Sequence, residues 1–250
     1  MISLEPQLLR STDESFTLLR ASGGHEHKSV LIVAPAVERP SAAHLGRLQR
    51  AYWLRHHIDP AWGTRPISLV EHEGRPALLL EDPGGVVLET LLGRLAASDF
   101  LRVAIAVAGS VSLLHASGLI HRDLRPSNVL VDVAEARAWL TGLCLASRGG
   151  AAEEGTELSE LSGTLPYLAP ERTGRRPEPA DVRSDLYALG VTLYELATGQ
   201  LPFVATEPRT SLSLPFTRPN AAVSYPARST ACCSNCWKSS RVIAINPLRV

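Results

Sequence analysis

The apolar residues of this chain change their spacing once, near residue 81, and that change limits the folds open to it. From Phe16 to Glu81 they come in short runs, "SVLIV", "TRPISLVEH" and "RPALLLED", cut by glycine and proline. Such runs are strands. Among them "SAAHLGRLQRAYWLRHH" has helical spacing. From Val86 to Ser117 helical patterning takes over, running through "DPGGVVLETLLGRL" into "FLRVAIAVAGSVSLLHASG", with Gly118 as the stop. The pattern predicts an α+β fold of two lobes. A lead-in of residues 1–15 precedes a small strand-rich lobe over 16–81, and residues 81–85 link it to a helical lobe over 82–208.

A chain of 250 residues can bury the core of one two-lobed domain, or of two small domains, without disulfides. Its 25 basic and 25 acidic residues are interspersed, so neither nucleic acid nor a membrane surface is an expected partner. The start, "MISLEPQLLRSTDES", has early acids and no long apolar core, unlike a signal peptide. The longest apolar stretch carries Arg102 and His115 and reads as a buried helix rather than a membrane span. A cytoplasmic location is expected. Three of the 4 cysteines crowd into "CCSNC", where Cys233 and Cys236 have the spacing of half a zinc site or a redox pair. No second pair or nearby histidine completes it.

Three further segments follow one another in order. "LIHRDLRPSNVL" holds His121, Arg122, Asp123 and Asn128; "GTLPYLAPE" spans residues 163–171; "DVRSDLYALGVTLYELATGQLPF" spans residues 181–203. Together they resemble the catalytic loop, the end of the activation segment and the anchoring helix of the protein kinase superfamily, serine/threonine type. The resemblance covers residues 78–208 and implies a kinase-like fold with a helical lobe that lacks its last helices. The wording "GTLPYLAPERTGR" and "GVTLYELATGQLPF" is most similar to the N-terminal kinase domain of large bacterial hybrids that continue into an ATPase region and a sensor histidine kinase. Further domains would then follow in an intact gene.

The resemblance implies ATP and Mg2+ as cofactors and a protein substrate or signalling partner. Phosphoryl transfer is mostly positioning and charge neutralisation, so each retained group has a defined task. Asp123 would accept or orient the substrate hydroxyl, and Asn128 would offer its carbonyl oxygen to the metal. Arg125 stands where lysine is usual and would meet the transferring phosphate as a planar fork. Leu80, Glu81, Asn128 and Leu130 form the implied nucleotide set, with Leu130 as the floor under adenine and the Glu81 carbonyl facing its amino group. Asp185 is expected to accept backbone N–H bonds from the His-Arg-Asp turn, and Thr164 suggests hydroxyl substrates. An Asp and an Asn in such a loop can equally be kept to satisfy its backbone.

The nucleotide site departs from the family pattern. Gly142 occupies the place of the second metal carboxylate, in "LTGLCLAS". The segment before "SVLIVAP", "RASGGHEHK", offers only Gly23 and Gly24, short of a phosphate-cradling glycine loop. Ile32 or Val33 stands for the phosphate lysine, and Ala51 for its glutamate partner. Pro83, which has no N–H, aligns with the linker residue that would donate to adenine. Losing a metal carboxylate and the phosphate lysine removes several kcal/mol of charge stabilisation, on the order of a thousandfold in rate. ATP and magnesium binding is therefore in doubt, and weak or absent phosphotransfer is expected.

After "LPFVATEP" the helical periodicity ends. Read two bases later, the codons for "CCSNCWK" must spell Leu-x-x-Leu-Leu-Glu, and the rest permits a continuation resembling a late kinase helix. A frameshift between Pro208 and Cys232 would explain the cysteines, and residues 209–250 are expected to be an aberrant, poorly packed tail. Glu171 would then lack its arginine partner, at a cost of about 3–5 kcal/mol if buried unpaired. Thr156, Ser159 and Ser162 are candidate phosphosites that could bring an anion to Arg122; Glu153, Glu154, Glu157 and Glu160 could serve instead, or form a solvated loop. Three readings follow: a kinase with an unorthodox site, a non-catalytic pseudokinase module, or a truncated gene product.

Overall fold

The computed structural model describes residues 6–10, 16–22, 29–148, 165–172 and 181–203, all inside the compact unit Met1–Thr217. Strands β1 (Pro6–Arg10), β2 (Phe16–Ser22), β3 (Ser29–Pro35), β4 (Pro66–His72) and β5 (Arg75–Glu81) form one antiparallel sheet in the order β1-β2-β3-β5-β4. Helix α1 (Ala42–Trp53) lies between β3 and β4 in sequence and is capped by the Ser41 hydroxyl, which accepts from the His44 N–H. Leu48 and Ala51 of α1 pack with Leu18, Leu31, Val33, Leu78 and Leu80 from one face of the sheet. The alternate residues Ala21, Ile32, Ala34 and Ala77 form a second buried cluster with Leu19, Val30, Val70 and Leu79. Both faces of the middle strands are thus apolar, which is why their sequence runs are continuous instead of alternating.

Two expectations change here. The lead-in of residues 1–15 contains β1, whose Leu8 pairs with Leu19 of β2. The β1–β2 connection is therefore residues 11–15, Ser-Thr-Asp-Glu-Ser, and the segment before "SVLIVAP", whose Gly23 and Gly24 fall short of a phosphate-cradling loop, is the β2–β3 connection instead.

The helical lobe begins later than its pattern suggested. Val86 and Val87 form a short strand, β6 (Val86–Val87), and a 3-10 turn at Leu88–Leu91 precedes helix α2 (Ala97–Ala116). The two β-branched residues pair with Val131 and Leu130 of β8 (Val129–Asp132), and the tertiary pairing overrides the local pattern. Strand β7 (Leu119–Ile120) precedes β8, and β9 (Arg137–Leu140) completes the sheet β6-β8-β9. Strand β10 (Ser147–Arg148) pairs with β7, and helix α3 (Val182–Thr198) follows, capped by Asp181 and ended by Gly199. By length and composition α2 could cross a membrane. Its Val103, Val107, Val111 and Leu114 instead join Leu88, Leu119, Leu124, Val129, Leu140 and Leu196 in the main core. Gly118 does end it, at φ +78°.

Candidate functional site

The loop between β7 and β8 is held from below by one carboxylate. Asp185, on the first turn of α3 and 1% exposed, accepts from the backbone N–H groups of His121 (2.8 Å) and Arg122 (2.9 Å), and from His115 Nε2 (2.9 Å). This is the task expected of it. The two backbone bonds hold Arg122 at φ +67°, a left-handed conformation that an arginine adopts only when its surroundings impose it. His121 is fully buried; its Nδ1 accepts from the Asp123 N–H, so Nε2 carries the proton and donates to the Thr141 carbonyl at 3.0 Å. Burial holds this imidazole below its usual pKa, outweighing the opposing pull of the Asp185 and Asp123 carboxylates.

Asp123, Arg125 and Asn128 lie together. Asn128 Nδ2 donates to the Asp123 carbonyl (2.6 Å) and to Asp123 Oδ2 (2.8 Å), while Asp123 Oδ1 faces Arg125 Nε at 3.4 Å. The two are close enough for charge attraction, but neither atom makes an aligned hydrogen bond. A cavity of about 30 Å³ beside them is lined by Arg122, Asp123, Tyr167, Arg172, Ser184 and Asp185. Tyr167 donates to Glu195 of α3. Burial and that bond raise the Tyr167 pKa, and burial raises that of Glu195. Glu171, expected to be left without a partner, is half-buried and accepts from the Ser184 hydroxyl at 3.0 Å. The next described element, α3, supplies a hydroxyl that no sequence pattern indicated.

The linker is bolted to the small lobe. Arg20 of β2 grips Asp82 with two bonds, 2.7 and 2.9 Å, and donates to the Gly85 carbonyl at 3.0 Å. Burial alone would raise the Asp82 pKa, but the Arg20 hydrogen bond, helped by Ser29 and the Gly84 N–H, leaves it below the usual range. Gly85, at φ +73°, lies so close to β8 that a Cβ would stand 2.5 Å from the Val131 carbonyl. Sequence reasoning missed Arg20 and Asp82, because nothing local marks a pair 62 residues apart. Of the implied nucleotide set, Leu80 and Leu130 are buried in one cluster with Leu18, Leu31 and Val87, and Glu81 turns its carboxylate to Arg65.

Around positions 33 and 51 the structure places apolar atoms. Val33 of β3 and Ala51 of α1 share a buried cluster with Leu80 and Cys144, and with Gly142 they line a cavity of about 10 Å³. Gly142 sits in the left-handed region at φ +71°, directly against the Asn128 carboxamide. No carboxylate stands at 142 and no lysine at 33, and Asn128 is fully buried with its Nδ2 bonded to Asp123. Thr164, the four activation-segment glutamates, the three candidate phosphosites and the cysteine-rich tail lie outside the described residues.

Residues 65–227, well over half of the chain, match the model of the protein kinase domain. The chain is 36% identical over 156 residues to the serine/threonine-protein kinase PknL of Mycobacterium tuberculosis, covering 60% of this chain and 37% of that protein. It is 32% identical over 136 residues to the probable serine/threonine-protein kinase PknB of Lactococcus lactis, covering 53% and 21%. A serine/threonine-protein kinase of Myxococcus xanthus shares 33% identity over 156 residues, covering 56% and 22%. The chain spans between about a fifth and somewhat over a third of the length of these relatives. The family match is wider at both ends than the stretch 78–208 on which the resemblance was read, and it starts after β3 and α1, where several of the departures lie.

Proposed function

This chain belongs to the protein kinase superfamily, serine/threonine type, and from that premise we propose a kinase-fold domain with weak or no phosphoryl transfer, acting as a binding or regulatory module of a bacterial signalling protein. The observation that carries this reading is the apolar cluster of Val33, Ala51, Leu80 and Cys144 where a phosphate lysine and its glutamate would stand. Asp123 and Arg125 keep a loop geometry suited to a hydroxyl substrate, so a protein segment bearing serine or threonine is the ligand class this lobe would recognise. If nucleotide is held, the apolar Leu80 and Leu130 would contact adenine, with glycine in place of a metal carboxylate at position 142. A cytoplasmic location and further domains C-terminal to this one, as in the bacterial hybrids, are part of the same proposal.

The test is a transfer assay from radiolabelled ATP to a generic basic protein substrate, run beside a melting curve with and without ATP and magnesium. Transfer at a level no more than about a thousandth of an active relative, with no magnesium-dependent rise in Tm, is expected. Turnover near that of the relative would sink the reading.

A second reading concerns the gene. Leu101, Ile105 and Leu113 of α2 and Val182 and Leu186 of α3 are exposed large apolar side chains, which late helices encoded in a shifted frame could cover. This favours the frameshift proposed between Pro208 and Cys232. Resequencing those codons decides it: a corrected frame restores helical patterning, whereas an unchanged frame removes the proposal.

A further inference from the structure

The glycine at the carboxylate position is not simply a deletion. A Cβ built on Gly142 would stand 2.2 Å from Asn128 Oδ1, 2.5 Å from its Cγ and 2.9 Å from its Nδ2. All three contacts are well inside van der Waals range. The carboxamide has little freedom to retreat, because Asn128 is fully buried and its Nδ2 is committed to both the Asp123 carbonyl and Asp123 Oδ2. The backbone around it is also tied, with the Asn128 N–H on the Arg125 carbonyl and the Thr141 N–H on the Asn128 carbonyl, both at 2.9 Å. Residue 128 immediately precedes β8 and residue 142 follows β9, two strands whose register is set by backbone bonds, and the side chain of Asn128 fills the space a side chain at 142 would need.

We propose that the Asn128 carboxamide has taken the room of the missing metal carboxylate, so that Gly142 is required where it stands and an aspartate put back there does not rebuild a magnesium site. Asn128 is then a positioning residue: it orients Asp123 and braces β8 against the turn at 142. The inference rests on the family assignment above, which identifies position 142 with a metal carboxylate. It turns that loss from a single missing ligand into a coupled pair of positions. Reversal at one position alone meets a steric block.

The experiment is a double-mutant cycle on the full chain without nucleotide, using wild type, Asn128→Ala, Gly142→Ala and the pair, each melted by circular dichroism. Gly142→Ala is expected to lower Tm by roughly 5–10 °C, and by less than half of that when Asn128 is already Ala, because the contact is gone and only the left-handed backbone strain remains. Equal losses in the two backgrounds would overturn the proposal. Should Gly142→Ala yield no folded protein, recovery of a cooperative transition in the pair supports it and failure to recover one counts against it. The second arm is Gly142→Asp, since Asp tolerates the left-handed region better than Ala. Magnesium chloride with an ATP analogue is expected to leave its Tm unmoved; a magnesium-dependent rise absent from wild type would defeat the idea. The cycle is read without nucleotide, so transfer by the wild-type chain would sink the functional reading and leave this coupling intact.

Discussion

His121 shows at the scale of a residue how a family signature can be carried by backbone needs. Its side chain bridges the Asp123 N–H and the Thr141 carbonyl inside the core, so it holds the loop without touching any substrate site. Because burial depresses its pKa in the folded state, the unfolded chain takes up a proton that the folded chain refuses. The stability this neutral imidazole contributes is therefore complete above about pH 6.5 and is lost as the pH falls toward the depressed folded value. The urea midpoint is expected to fall between pH 7 and pH 5.5, and to fall less in His121→Asn; equal slopes in the two proteins would remove His121 as the cause. The loop signature was legible in the sequence because its residues lie within one turn of chain. The Arg20 grip on Asp82 and the Ser184 bond to Glu171 were not, since each joins residues that only the fold brings together.

At the scale of an element, α1 packs on the sheet through apolar side chains. Leu48 and Ala51 lie in the same buried cluster as Val33, Leu78 and Leu80, and the turn after α1 is tied to β9 by the Thr64 N–H on the Leu140 carbonyl (3.0 Å) and the Leu140 N–H on the Trp62 carbonyl (2.7 Å). Trp139 Nε1 adds a bond to the Pro60 carbonyl at 3.0 Å. Val33→Lys would bury an unpaired ammonium in this cluster, with an expected loss of about 3–5 kcal/mol in urea denaturation. Adding Ala51→Glu should recover part of the loss, because the two new charges can meet. A neutral Val33→Lys would mean that the cluster is open to water. The helix itself was evident from its spacing. Its partner on the sheet was not, and neither was the short strand β6, whose two valines carry no signal that separates them from the helical pattern that follows.

At the scale of the whole molecule, charge balance and exposed apolar side chains act together. The chain has zero formal net charge and a sequence pI near 7.1, while Ile105 is 72% exposed and Trp53 70% exposed. With no net repulsion between copies, such side chains favour association. Light scattering across pH is expected to show a solubility minimum near neutrality, and Ile105→Glu to relieve it while changing stability by no more than about 0.5 kcal/mol. Unchanged scattering in Ile105→Glu would show that this face of α2 does not mediate the association.

The sequence by itself determined the two-lobed α+β architecture, the catalytic-loop signature and the absence of charge at positions 33, 51 and 142, because spacing, turn residues and residue identity are local properties of the chain. Only the tertiary structure decided what lies against these positions. Val33 and Ala51 close on Cys144 and Leu80, and the Asn128 carboxamide rests on Gly142. The reason is physical: which side chains meet in a close-packed interior depends on how distant segments are brought together, and that is a property of the fold.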